Sequence, residues 1–424
     1  MIGKHILRPL NRVQQKAVFK TLMAEKFVLL KGMPGSGKTT MIVALVRLLV
    51  KMGLRILLTA YTHSAIDNVL LKLLKAEEGK PCFLRLGKSS RVHEDLKPFT
   101  EDFLIDSQNL LTTDDLRKLY DSQPVVATTS LSASNHPALS KLFDFCIVDE
   151  AGQSLLLSSL GALLNARKFV LVGDPEQLPP VVKSLKAKSM GLDVSLFSHL
   201  QDPSNTIPLS LQYRMNEDIQ SVANYMTYEG QLECGNEQVA TREATLRGEW
   251  PLFVDIRARR TSVAFFDTTN VVSMVEAKDE LGISNFGEAD FAAKLAKLAK
   301  KMEVTGGNPA TVGLIAPYRA QVAILRKLLA AGLVPASDIS TVDQFQGRDK
   351  DVIIYSCTRT KSKNADAAAI DNSIMSDWRR LNVAVTRAKA RLWMVGNIEA
   401  LKTFEPFAKL IDYLEQNDLV FHLS

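Results

Sequence analysis

Cysteine is scarce and scattered. The 424 residues hold only 4, Cys82, Cys146, Cys234 and Cys357, and no two form a C-x-x-C pair. That spacing excludes the usual zinc and iron–sulfur sites and a disulfide-stapled scaffold. Unpaired thiols suit a reducing compartment. Long apolar runs are missing as well. The most apolar stretch, Met41 to Val50, is interrupted by Arg47 and closed by Lys51, too short to span a bilayer. No apolar leader core follows Met1-Ile2-Gly3-Lys4-His5, which argues against a secretory signal. Charge is nearly balanced, with 52 Lys and Arg against 46 Asp and Glu for a net +6. That excess permits a polyanion partner without requiring one. No repeat or low-complexity tract stands out, and 46% hydrophobic with 23% charged residues excludes a mainly disordered or collagenous chain. The length allows two or three domains of roughly 150 residues each.

Alternation is what the chain does have. Short apolar runs at Phe27–Leu30, Arg55–Ala60, Val125–Thr128, Phe145–Val148 and Phe169–Val172 read as buried strands. Amphipathic stretches such as Thr39–Met52 and Ser64–Lys75 lie between them. Strand–helix alternation with near-continuous apolar strands predicts a parallel sheet covered on both faces. The pattern restarts after Gln201-Asp202-Pro203-Ser204-Asn205, with strands expected at Thr311–Ala316, Ile339–Thr341, Val352–Cys357 and Arg391–Val395. A helix is expected from Gly287 to Met302, with Glu288 and Asp290 early and Lys300 and Lys301 late, as the helix dipole favours. The expected fold class is therefore α/β, with lobes at 1–205 and 206–424. A charged, mostly helical insertion at about 76–123 decorates the first lobe, and Glu237–Glu280 resists assignment.

Gly32-Met33-Pro34-Gly35-Ser36-Gly37-Lys38-Thr39 fits G-x-x-x-x-G-K-[ST] between a strand and a helix. In that context backbone N–H groups wrap phosphates and the helix N-terminus faces them. Lys38 would reach the β- and γ-phosphates and the Thr39 hydroxyl would bind magnesium, with Thr40 beside it. Phe143–Glu150 is an apolar strand ending in two carboxylates. Asp149 would hold magnesium and Glu150 would polarise the attacking water. In the loop Gly173-Asp174-Pro175-Glu176-Gln177, Gln177 would sense the γ-phosphate or position water; taken alone, the loop is only a Gly- and Pro-rich turn.

A P-loop lobe by itself could serve a kinase or a GTPase. The second lobe adds Gln212-Tyr213-Arg214-Met215, Thr341–Asp349 and Trp378–Lys389. Arg387 follows the apolar Val383–Val385, so it projects from a packed helix to one fixed place. A guanidinium reaching the γ-phosphate from another lobe is an arginine finger, and it ties lobe closure to nucleotide state.

The ordered set resembles superfamily 1 helicases of the branch that includes the nonsense-mediated-decay RNA helicase, from about residue 10 to about 400. The resemblance implies two tandem RecA-like P-loop lobes. It assigns Gln14, in Leu10–Gln14, to adenine recognition, Tyr213 to stacking on the base, and Arg214 to phosphate. Gly32, Pro34, Gly35, Ser36, Gly37, Lys38 and Thr39 fall in its first motif, and Gly347 and Asp349 in its fifth. The segments Tyr61–Asn68, Phe83–Gly87, Asp144–Ala151 and Thr227–Gly235 look more specifically like the eukaryotic DNA replication ATP-dependent helicase/nuclease family. That family processes Okazaki flaps and resects broken DNA ends. Its resemblance implies ATP and Mg2+ as cofactors, single-stranded or flap DNA as partner, 5′-to-3′ movement and a nuclear address. The family's nuclease carboxylates, cluster cysteines and first-lobe barrel have no counterpart here, so nuclease activity is not expected. Gly152 stands where the family usually has serine.

A strand crossing both lobes would meet Thr62, His63 and Ser64 after one strand end, although Ser64 is equally well read as a helix N-cap. Tyr318, Arg319, Thr341 and Gln344 are the second-lobe counterparts. Backbone contacts of this kind bind without reading sequence. Three readings stay open: a DNA helicase or translocase, an RNA helicase of the same branch, and an ATP-dependent clamp that does not unwind.

Overall fold

The computed structural model describes residues 4–77, 83–134, 136, 139, 141–251, 254–255, 257–330, 332–360 and 374–423. Cys82 lies outside them. The chain forms two compact units, Met1–Ser210 and Leu211–Ser424.

In the first unit, seven strands form one sheet: β1 (Phe27–Gly32), β2 (Ile56–Ala60), β3 (Phe83–Arg85), β4 (Val125–Thr129), β5 (Phe143–Asp149), β6 (Ala166–Gly173) and β7 (Thr206–Leu209), in the order β3-β4-β2-β5-β6-β1-β7. Every pairing is parallel. Successive side chains point to opposite faces. Leu30, Ile56, Leu58 and Ile147 thus enter one core, and Leu29, Leu57, Cys146 and Val148 enter the other. This explains why the strands read as unbroken apolar runs. Helix α1 (Arg12–Met23) starts with a capping box between Asn11 and Gln14. Helix α2 (Lys38–Lys51) starts at Gly37, which is left-handed (φ 75°), and no side chain caps it. Helix α3 (His63–Ala76) is capped by Thr62, whose hydroxyl accepts from Ala65 N at 3.2 Å.

Two boundaries differ from the sequence reading. Phe83–Arg85, placed within the insertion, pairs with β4 as the outer strand of the main sheet. Only the short helices that follow, up to Ser122, decorate the lobe. Thr206–Leu209, placed in the second lobe, pairs with β1.

The main sheet of the second unit has six parallel strands: β8 (Val263–Asp267), β9 (Val312–Ala316), β10 (Ile339–Thr341), β11 (Lys350–Ser356), β12 (Ala388–Gly396) and β13 (Val420–His422), in the order β10-β9-β11-β12-β8-β13. The unassigned stretch Glu237–Glu280 supplies β8, which is buried throughout. Helix α4 spans Phe286–Ala299. It stops short of Met302 because Met302–Val304 pairs with Ala244–Leu246. Helices α5 (Arg319–Leu328) and α6 (Trp378–Val385) complete the parts that position functional side chains.

Candidate functional site

In the first unit the candidate residues gather at the carboxyl edge of the sheet, where parallel α/β sheets bind ligands. The P-loop follows β1. Gly35 and Gly37 take φ values of 72° and 75°, so the loop curls back with its N–H groups free of side-chain caps. Lys38 Nζ donates to the Gly32 carbonyl at 2.7 Å. Gln14 lies against this loop: its Nε2 donates to Ser36 O at 2.9 Å, and its Oε1 accepts from Asn11 N at 3.1 Å. Its amide therefore braces the phosphate loop from α1. Pro34 and Ser36 are buried, Thr39 half-buried and Thr40 exposed.

Asp149 ends β5. Burial pushes its carboxyl up to about 7, repulsion from Glu150 adds to this, and Lys38 and Lys72 oppose it. Its Oδ1 accepts the Glu150 N–H at 2.9 Å. Glu150 is left-handed (φ 51°) although it is not glycine, a conformation that stores strain and is common at working sites. Gln153 Nε2 donates to Glu150 Oε2 at 3.1 Å. This acidic pair is short of positive charge, so with the Thr39 hydroxyl it fits a divalent cation. Among the described residues no group of three or more His, Cys, Asp or Glu side chains forms a metal cage. Cations bound with nucleotide need none, because phosphate and water complete the shell.

The loop after β6 packs tightly on this one. A Cβ on Gly152 would stand 3.0 Å from the Asp174 carbonyl oxygen, and one on Gly173 would stand 2.8 Å from Gly152 N. The two loops thus meet backbone to backbone. Gln177 Nε2 donates to Asp174 Oδ2 at 2.7 Å, and Glu176 pairs with Lys31 of β1 at 3.1 Å.

In the second unit three distant stretches converge at the amino ends of β11 and β12. Arg214 Nε donates to Asp349 Oδ2 at 3.1 Å, and Nη1 donates to the Thr386 carbonyl at 3.1 Å. Lys389 Nζ meets Asp349 Oδ1 at 2.8 Å. Burial alone would raise the Asp349 carboxyl, but Arg214 and Lys389 outweigh it and hold it below its ordinary range. Arg387 is 1% exposed; Nε donates to Val383 O at 2.9 Å and Nη2 to Thr386 Oγ1 at 2.9 Å. Gly347, with φ 80°, precedes Asp349 by two residues. Tyr213 is exposed, its ring lying on Gly235 so closely that a Cβ there would fall 2.3 Å from Cε1. Sequence reasoning missed Gln212, which is fully buried. Its Oε1 accepts from Arg214 N and Met215 N, both at 2.8 Å, and its Nε2 donates to Met215 O at 2.7 Å. It shapes the turn that presents Tyr213 and Arg214.

The nucleic-acid candidates occupy the carboxyl edges. Thr62 and Ser64 are exposed and His63 half-buried at the end of β2. Arg319 and Gln344 are exposed and Thr341 half-buried. Tyr318 is 4% exposed and its phenol lies beside the Arg359 guanidinium. A further buried network lies near this edge. Glu288 of α4 accepts from Ser356 Oγ and Thr358 N, both at 2.7 Å, and burial pushes its carboxyl up to about 8. Its first-turn position suggested only a dipole partner.

Two matches to known families, each described as an AAA domain, cover residues 9–116 with 106–185, and residues 192–399. The DNA replication ATP-dependent helicase/nuclease of Mus musculus is 41% identical over 99% of this chain and 40% of its own length. The Homo sapiens protein of that name is 41% identical with the same coverage, and the Saccharomyces cerevisiae protein 33% identical over 97% of this chain and 27% of its own. The chain thus spans well under half the length of these relatives. A solved arterivirus helicase, nonstructural protein 10, covers 92% of this chain at 15% identity and a TM-score of 0.45, a likeness too loose to build on.

Proposed function

We propose that this chain, a homologue of the DNA replication ATP-dependent helicase/nucleases over the stretch it shares with them, is an ATP-driven motor on single-stranded DNA. The observation that carries the reading is the grouping in the first unit of a P-loop, its lysine and a buried acidic pair at one sheet edge. Lys38 would hold the β- and γ-phosphates, and Gln14 would read adenine while bracing the loop. Glu150 would take up a proton from the attacking water, with Gln177 positioning that water or sensing the γ-phosphate. Magnesium, held by Thr39 and Asp149, would neutralise charge on the phosphate oxygens. Arg214 and Arg387 would stabilise the charge that builds on the transferred phosphoryl group. Both guanidiniums are bonded inside their own unit, so each must release a partner to do so. Tyr213 would stack on the base, and Gly347 and Asp349 would line the nucleotide.

Thr62, His63, Ser64, Arg319, Thr341 and Gln344 would grip the sugar–phosphate backbone, and Tyr318 would support Arg319 from within. Movement 5′ to 3′, flap processing, end resection and a nuclear address are what the family resemblance implies, and they belong to this proposal. The test is strand displacement on a 5′-overhang DNA duplex, beside Lys38→Ala. Displacement that needs ATP and is lost in Lys38→Ala supports the motor. Hydrolysis without displacement points to a clamp, and stronger stimulation by RNA than by DNA points to an RNA helicase.

A further inference from the structure

The segments Tyr61–Asn68 and Phe83–Gly87 are separate in sequence, yet their side chains form one assembly. Arg85 ends β3 and is fully buried. Its guanidinium is divided three ways: Nε donates to Asp67 Oδ1 at 2.9 Å, Nη1 donates to the Leu86 carbonyl, and Nη2 meets His63 Nδ1 at 3.0 Å. The other Asp67 oxygen accepts the His93 N–H at 2.9 Å. Arg85 therefore cannot swing away without leaving a buried charge unpaired, which is costly.

A guanidinium carries donors and no acceptor. The contact with His63 then requires Nδ1 to be the acceptor, with a lone pair and no proton. A neutral imidazole with a bare Nδ1 holds its proton on Nε2. The surroundings agree. Burial disfavours the imidazolium, as do Arg85 and Arg91; Asp67 alone opposes them, and the net effect lowers the pKa from its ordinary value.

We propose that Arg85 is a positioning residue that fixes His63 as an Nε2–H donor to the phosphate backbone of a bound strand, beside the exposed hydroxyls of Thr62 and Ser64. This rests on the strand-binding reading above. It adds a specific chemistry to it: a neutral hydrogen-bond donor of fixed tautomer beside two neutral hydroxyls. Such a donor displaces no counterion, so it adds affinity without steepening the salt dependence. It also resists protonation as pH falls, because burial and Arg85 hold its pKa below the ordinary histidine value.

Two measurements on the whole chain test this. In 15N-histidine NMR, His63 should show the Nε2–H tautomer when neutral and should titrate below the ordinary histidine range. In Arg85→Lys, which keeps the charge but loses the fork, tautomers should mix and titration should return to the ordinary histidine range. Binding to oligo-dT by anisotropy supplies the second readout. His63→Gln, whose amide nitrogen falls near Nε2, should bind within about twofold of the parent. His63→Asn, whose amide falls near Nδ1, should lose roughly ten- to hundredfold, the effect of one hydrogen bond to a charged acceptor, with unchanged salt slope and melting temperature. An Nδ1–H tautomer, or equal losses in His63→Gln and His63→Asn, overturns the proposal. If the parent chain binds neither oligo-dT nor oligo-U, the strand-binding reading itself falls, whatever tautomer is seen.

Discussion

Asp149 in the first unit and Asp349 in the second meet opposite surroundings. Asp149 is buried beside a second carboxylate and is pushed up to about 7, whereas Asp349 sits between Arg214 and Lys389 and is held below its ordinary range. One site is short of positive charge before any ligand arrives; the other is already balanced. On the proposed reading, the first receives a cation with a polyanion. On the same reading, the second surrenders an internal contact before its arginine serves one. Their placement differs too. In the first unit every candidate lies at the carboxyl edge of the sheet. In the second the arginines sit at the amino ends of β11 and β12, while Arg319 and Thr341 follow β9 and end β10 at the carboxyl edge. β11 has 7 residues, so at about 3.3 Å per residue roughly 20 Å of strand separates the two functions.

The largest expected effect comes from the unsatisfied side. Lys38→Ala should lower DNA-stimulated ATP turnover by roughly 100-fold or more, because a preorganised cation on the phosphates is lost; phosphate release measures it, and near-parent turnover would remove the first unit from the chemistry. Next, Asp349→Asn should cut turnover about tenfold by loosening Arg214. It should also lower the melting temperature by a few degrees at pH 7. The folded carboxyl titrates below its unfolded value of 3.8, so its stabilisation is present above that value and fades as pH falls below it. The melting difference should therefore shrink towards pH 3.

Asp149→Asn should behave in the opposite sense. Its folded carboxyl is raised from 3.8 to about 7, so the folded state loses stability as pH climbs through that window. Without nucleotide, the variant should melt about 2–4 °C above the parent at pH 8, and the gain should disappear near pH 4. Equal behaviour of the two aspartates in a pH-resolved melting series would erase the contrast. Glu288→Gln should give a gain of similar size, about 2–4 °C at pH 8 and none at pH 4, with no loss of turnover. The window runs from 4.5 to about 8, and the amide oxygen can still accept from Ser356 and Thr358.

Much of this was legible in the sequence where chemistry fixes spacing. The P-loop reads from one octapeptide because its glycines, lysine and threonine act within one turn of chain. The buried strands read from their apolar runs because both sheet faces are covered. What escaped is long-range. Arg85 meets Asp67 and His63 across two elements, so nothing in the local pattern of Phe83–Gly87 reveals that its arginine is buried. Gln212 looks like any polar residue after a strand until its three bonds within one turn, and those to Gln220 and Cys234, are seen together. Glu288 suits the first turn of a helix, and only tertiary packing seals it from water. β8 lay in a stretch of mixed composition, and its neighbours β12 and β13 come from the far end of the chain.

The contact between Gly152 and Gly173 has a mechanical consequence. Where two loops touch through side chains, rotamers can absorb a small displacement. Here backbone meets backbone, with no room for even one Cβ. A shift of Glu150 on meeting a phosphate or its water would therefore reach Asp174 and Gln177 almost undiminished, as motion between gears without play. A serine at position 152 would have to force the loops apart by a few tenths of an ångström.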